Sequence, residues 1–259
     1  MMSINETRLS NSIVKKIPWQ QIVLKQYLYK LKGHSGLIYS LIFTQLLGLL
    51  SSLGMRGSMS SGGEFIWVSV NTYSGDVILI FSFIWIIIVS SLIGSQSYRS
   101  IGFSVVSNRM TDHTSNIMLL LTSAVFAGVT GVLMSVGQRI IMIMTQSEGE
   151  FLVGELGIAP QNLLLGIFVA SLYLILLAAI TYLIQTISTL NKTSAIILGM
   201  VILTFGFGYI RIFAFNFGNL MGFYISESSL ELFVLKVFST VCLLFGLSMF
   251  ISKLMEVKR

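Results

Sequence analysis

Hydrophobic residues in this chain neither alternate nor keep to one helical face; they run in long, nearly charge-free stretches. A helix needs about 20 mostly apolar residues to cross the hydrocarbon of a bilayer. Six stretches meet that requirement, at roughly 35–55, 75–96, 116–142, 162–187, 193–212 and 230–252. The second contains SGDVILIFSFIWIIIVSSLIGS and the fourth LLLGIFVASLYLILLAAITYLI. A transmembrane β-barrel needs segments of about ten residues that alternate between lipid and lumen. The fourth stretch is apolar on every face, which excludes that fold. An isolated segment in lipid must also satisfy its own backbone hydrogen bonds, and a helix does so. The pattern predicts an all-α polytopic membrane protein with six transmembrane helices, forming one domain over residues 1–259.

Composition agrees. Apolar residues make up 54 % of the 259 positions and charged residues 10 %, against about 25 % charged in an ordinary soluble domain. Mean hydropathy is +0.87. A water-facing surface cannot be built from so little charge, so lipid is expected to solvate much of it. The single cysteine, Cys242, excludes an internal disulfide and a cysteine-based zinc site.

Charge then sets an orientation. With the N-terminus inside, twelve of the sixteen Lys and Arg residues fall in cytoplasmic segments. Arg56, Arg139, Arg211 and Lys236 lie outside or near the outer face. This follows the positive-inside bias and predicts both termini in the cytoplasm of a cell (plasma or inner) membrane. The net charge of +6 is then directed at anionic headgroups or a cytoplasmic partner, and nucleic-acid binding has no support. The first 32 residues lack a short apolar stretch with a small-residue cleavage site, so they do not read as a cleavable signal.

Three polar or broken segments carry information. Residues 13–32, IVKKIPWQQIVLKQYLYKLK, predict an amphipathic interfacial helix starting at Pro18. Leu24, Leu28 and Leu31 lie near one face, Gln21, Lys25, Lys30 and Lys32 on or beside the other, and Trp19 and Tyr27 supply interfacial rings. Residues 97–115, SYRSIGFSVVSNRMTDHTS, form a cytoplasmic loop richer in apolar residues than a linker requires. Such a segment folds onto its own helices or docks into a partner's groove. Thr111, Asp112 or Ser115 is placed to cap the third span. Residues 211–229 are aromatic but broken by glycine and asparagine, and predict a re-entrant extracellular segment.

Catalytic chemistry is missing from the sequence. No G-x-x-x-x-G-K-[ST] phosphate loop and no H-E-x-x-H metal motif occurs. Gly33-His34-Ser35-Gly36 is a partial nucleophile turn, but the final glycine of G-x-S-x-G is replaced by Leu37. The chain is expected not to be an enzyme and to hold no cofactor or metal. Near the outer face, Asp76, Arg139, Arg211, Glu231 and Lys236 are candidates for a polar ring in which Asp76 or Glu231 faces a cation. The alternative for the arginines is snorkelling to headgroups. Small residues, namely Ala124, Ala127, Gly128 and Gly131 in span three and Gly199, Gly206 and Gly208 in span five, mark close helix packing within one chain or between two.

This layout of amphipathic helix, six spans, cytoplasmic ends, structured loop after span two and broken segment before span six resembles the permease subunits of ABC exporters of the ABC2-membrane class. The resemblance implies a separate cytoplasmic ATPase that carries ATP and Mg, and a second permease, identical or related. It implies that the helix Pro18–Lys32 and a coupling loop of Arg99, Ser107, Asn108, Arg109, Met110, Thr111, Asp112 and His113 rest on that ATPase. The expected cargo is a hydrophobic or amphipathic compound, lipid-like, antimicrobial or peptide. A passive channel or secondary transporter, and a non-transporting scaffold or sensor, are the competing expectations.

Overall fold

The computed structural model describes residues 18–33, 35–54, 57–62, 67–72, 75–95, 109–145, 160–189 and 229–257, with single residues 196, 199, 200, 224 and 227. Six long helices and one hairpin occupy these segments: α1 (Trp19–Gly33), α2 (Ser35–Gly54), β1 (Gly57–Gly62), β2 (Trp67–Thr72), α3 (Asp76–Gly94), α4 (Arg109–Thr145), α5 (Pro160–Ser188) and α6 (Leu230–Val257). Five of them, α2 to α6, are long and apolar enough to cross a membrane. The predicted span at 193–212 and the re-entrant segment at 211–229 lie almost wholly outside the described residues.

The helices begin where local chemistry allows. Pro18 precedes α1 and its carbonyl accepts from the Gln21 amide at 2.9 Å. Pro160 opens α5, a position where the missing N–H of proline costs nothing. At about 1.5 Å per residue, the 20 residues of α2 and 19 of α3 match a hydrocarbon core of about 30 Å. The 37 residues of α4 exceed it by several turns. The helix starts at Arg109, ahead of the caps expected at Thr111, Asp112 or Ser115, so the last part of the 97–115 segment is helix rather than loop.

One β-hairpin lies between α2 and α3 of this helical framework. β1 and β2 pair antiparallel, with Gly57 opposite Thr72 and Gly62 opposite Trp67. In WVSVNT the β-branched residues alternate with other types, a strand pattern that a search for long apolar runs passes over. Pairing also satisfies backbone groups in a connection too polar to form another span.

Helix α5 sits at the centre and packs against α3, α4 and α6, while α2 packs against α3 and α4. The shared core includes Ile86 and Ile93 of α3, Leu119, Leu120, Ala124 and Ala127 of α4, Leu174, Ala179 and Tyr182 of α5, and Val237 of α6. Outward-facing side chains are equally apolar. Tyr39, Phe43 and Leu50 of α2 and Leu235, Phe238 and Phe250 of α6 are each at least 60 % exposed. Apolar surface on this scale is incompatible with water and suits lipid.

Candidate functional site

The most polar part of the interior lies where α1 meets the first turns of α4. Taking about 100° per residue, α1 has three sectors rather than two. Leu24, Leu28 and Leu31 form an exposed apolar stripe, and Gln21, Lys25 and Lys32 an exposed polar one. The third, Val23, Gln26 and Lys30, is buried against the bundle. Lys30, expected on the polar face, instead points inward. A helix with neighbours on only one side has one sector to bury and leaves the other two exposed.

The Lys30 ammonium lies 2.6 Å from Asp112 Oδ1, 2.7 Å from Ser115 Oγ and 2.6 Å from Asn116 Oδ1. The Asp112 carbonyl oxygen is at 3.3 Å. The three α4 residues stand at i, i+3 and i+4, a spacing that places them on one face. Both ions are largely withdrawn from solvent, with side-chain exposures of 10 % and 18 %. Buried charges persist only when paired and hydrogen-bonded, and this pair meets both conditions.

One residue further along, His113 turns to the other side of α4. Its Nδ1 lies 2.7 Å from the hydroxyl of Tyr182 in α5. Both residues are buried, and Tyr182 also meets Phe245 of α6 edge to face, with ring centroids 6.1 Å apart. A Cβ on Gly94 of α3 would lie 2.7 Å from Gln185 Cγ and 3.6 Å from the Tyr182 ring. Four helices thus converge on Tyr182.

Higher in the bundle, Gln45 of α2 is fully buried and joins three helices. Its Nε2 donates to Ser82 Oγ of α3 at 3.1 Å, to Thr130 Oγ1 of α4 at 3.0 Å and to the Ala127 carbonyl at 3.2 Å. Thr186 of α5 and Ser248 of α6 share a further buried hydroxyl contact at 3.1 Å. These are interhelical hydrogen bonds of the kind that join helices in lipid.

The residues singled out in the sequence fall into distinct groups. Among the ATPase-coupling candidates, Thr111 and His113 are each 2 % exposed, so their side chains serve the bundle and not an outer surface. Asp112 is engaged by Lys30, and Met110 is exposed. Arg109 opens α4; Arg99, Ser107 and Asn108 lie outside the described residues. In α1, Trp19 and Lys25 are exposed and Tyr27 half-buried.

Of the charges expected to form an outer ring, Lys236 pairs with Glu227. Asp76, Arg139 and Glu231 are exposed, and Arg211 lies outside the described residues. The small residues of span three lie inside the chain's own packing. Ala124 and Ala127 are fully buried, and a Cβ on Gly128 would lie 2.3 Å from Ser171 Oγ and 3.0 Å from the Ser171 backbone. A Cβ on Gly131 would meet Leu79 and Ser82 at 3.2 Å. Gly206 and Gly208 lie outside the described residues.

Sequence reasoning missed Ser115 and Asn116 as partners of Lys30, and Gln45 and Tyr182 as nodes. The i, i+3, i+4 spacing after Asp112 and the lone glutamine in span one were available signals. Tyr182 offered none. Among the described residues, no three of His, Cys, Asp and Glu come together as a metal site. Comparison with protein-family models, curated proteins and solved structures returns no match.

Proposed function

We propose that the chain is the membrane-spanning permease subunit of an ATP-driven ABC exporter of the ABC2-membrane class. In this reading it lies in a cell membrane with six spans and both termini in the cytoplasm. It works with a separate ATPase and a second permease, and moves a hydrophobic or amphipathic compound. One observation supports the reading above the rest. The two elements that the family layout rests on the ATPase, the interfacial helix and the segment leading into the third span, are bonded to each other by Lys30 and Asp112. A push on either is delivered to both, and through His113 and Tyr182 to the central helix α5. Rigid-body movement of packed helices is the general route by which such a push reaches a transport path.

The direct contacts on the ATPase then come from exposed positions, such as Met110 and Lys25, and from the 97–108 segment. Thr111, Asp112 and His113 hold that surface in place from within. The test is affinity purification of the tagged protein from its native host, followed by an ATPase assay of what co-purifies. A stoichiometric nucleotide-hydrolysing subunit, lost with Arg109→Glu, is expected. Flux of a hydrophobic dye by the purified chain alone, in liposomes without ATP, would favour a passive channel.

A further inference from the structure

The oxygens around Lys30 form a cation site that belongs wholly to α4. The Ser115 hydroxyl donates its proton to the Asp112 carbonyl at 2.8 Å, which leaves an oxygen lone pair for the ammonium. An ammonium can only donate, so Asn116 presents its amide oxygen and not its nitrogen. All the groups around Lys30 Nζ named here are acceptors, and one carries a full negative charge. None of these oxygens comes from α1, whose contribution is the cation.

We propose that Asp112, Ser115 and Asn116 form a binding site for a small monovalent cation of the ammonium type, in which Lys30 is the tethered resident ligand. The separations of 2.6–2.7 Å are those of charge-assisted N–H···O bonds. They exceed the roughly 2.0–2.1 Å that Mg²⁺ requires, and Ca²⁺ ordinarily gathers about 6–8 oxygens. One carboxylate and two neutral side-chain oxygens suit a single charge. Ser115 and Asn116 are buried to within 1 % of full coverage. Withdrawal of Lys30 therefore leaves a carboxylate in a poorly solvated place, and an unpaired buried charge is strongly unfavourable. The vacated cage recruits a replacement cation, so release of α1 and cation entry are linked. The proposal does not depend on the exporter reading.

The experiment replaces the tethered ligand with a free one. Lys30→Ala is purified in detergent and melted in ammonium, methylammonium or tetramethylammonium chloride at equal ionic strength, beside the wild-type chain and the Lys30→Ala/Asp112→Asn double variant. Loss of Lys30 is expected to lower the melting temperature by on the order of 10 °C. Ammonium and methylammonium restore about half of that loss or more, saturably. Tetramethylammonium, which has no N–H donor, does not. Neither the wild-type chain nor the double variant responds selectively. If all four salts and chains shift alike, or if Lys30→Ala shows no response, the cage is not a cation site. Should Lys30→Ala fail to fold, Lys30→Met keeps the stem of the side chain and its packing along α1, and the same comparison applies.

Discussion

Lys30 of α1 and Asp112 of α4 stand 82 positions apart in sequence and meet with 2.6 Å between ammonium and carboxylate. No other described ion pair joins two of the long helices. It fixes both the position of α1 along α4 and its rotation, because only the Lys30 sector can face inward.

Removing one partner of this pair is expected to be worse than removing both. Asp112→Ala leaves the ammonium buried and uncompensated, at a cost of about 3–5 kcal/mol. Lys30→Met combined with Asp112→Leu replaces the pair with apolar contacts and costs less than the sum of the single changes. A double-mutant cycle on melting curves is expected to give a coupling of about 0.5–3 kcal/mol. A coupling of zero would mean that the pair does not hold α1 in place.

Gly128 sets how closely α4 approaches α5. An added Cβ meets backbone atoms of Ser171, which cannot rotate away as a side chain can. Gly128→Ala is therefore expected to cost about 1–3 kcal/mol, the usual range for overpacking. Gly137→Ala, on the same helix with nothing within 4 Å of its added Cβ, is expected to be neutral or mildly stabilising. Equal effects at the two positions in a thermal-stability assay would contradict the packing described.

Gln45 offers a contrast between polarity and volume. Ser82 and Thr130 already donate their hydroxyl protons to helix carbonyls, at 3.0 Å and 2.9 Å. Loss of the Gln45 amide thus strands no buried donor. Gln45→Met keeps the volume and is expected to change stability by no more than about 1 kcal/mol, since interhelical bonds in lipid average about 0.6 kcal/mol. Gln45→Ala opens a cavity and is expected to cost about 2 kcal/mol or more. Reversal of that order would show that the amide outweighs the packing.

Tyr182 is expected to separate into a ring and a hydroxyl contribution. Tyr182→Phe removes the hydroxyl contact with His113 and should cost about 1 kcal/mol. Tyr182→Ala empties the meeting point of four helices and should cost about 3–5 kcal/mol. A Phe variant as damaged as the Ala variant would place the weight on the hydrogen bond alone.

Helix α2 joins α1 to the hairpin, so those two elements should lie on opposite sides of a membrane. In a Cys242→Ser background, Lys25→Cys and Ser69→Cys are expected to react with a membrane-impermeant maleimide from opposite faces of sealed vesicles. Labelling of both from one side would show that α2 does not cross.

The positions of the described spans were legible because the criterion is local. The runs at 35–55, 75–96, 162–187 and 230–252 correspond to α2, α3, α5 and α6 to within a few residues, except that α6 continues about five residues further. The run at 116–142 was read too short. Its first turns are polar, and polar residues near a span read as loop unless a partner is known. Lys30, far away in sequence, is the partner that Asp112, Ser115 and Asn116 meet there.

The sequence by itself determined that this is a helical chain built for lipid, with an amphipathic helix ahead of the first span. Length and apolarity suffice for that, since a helix in hydrocarbon satisfies its own backbone. Only the tertiary structure decided which way each helix turns and which polar groups meet: Lys30 with Asp112, His113 with Tyr182, Gln45 with Ser82 and Thr130. A span that is apolar on every face carries no periodic signal to fix its rotation. Rotation is set instead by a few close approaches, such as Gly128 on Ser171, and by the few polar contacts that run from one helix to another.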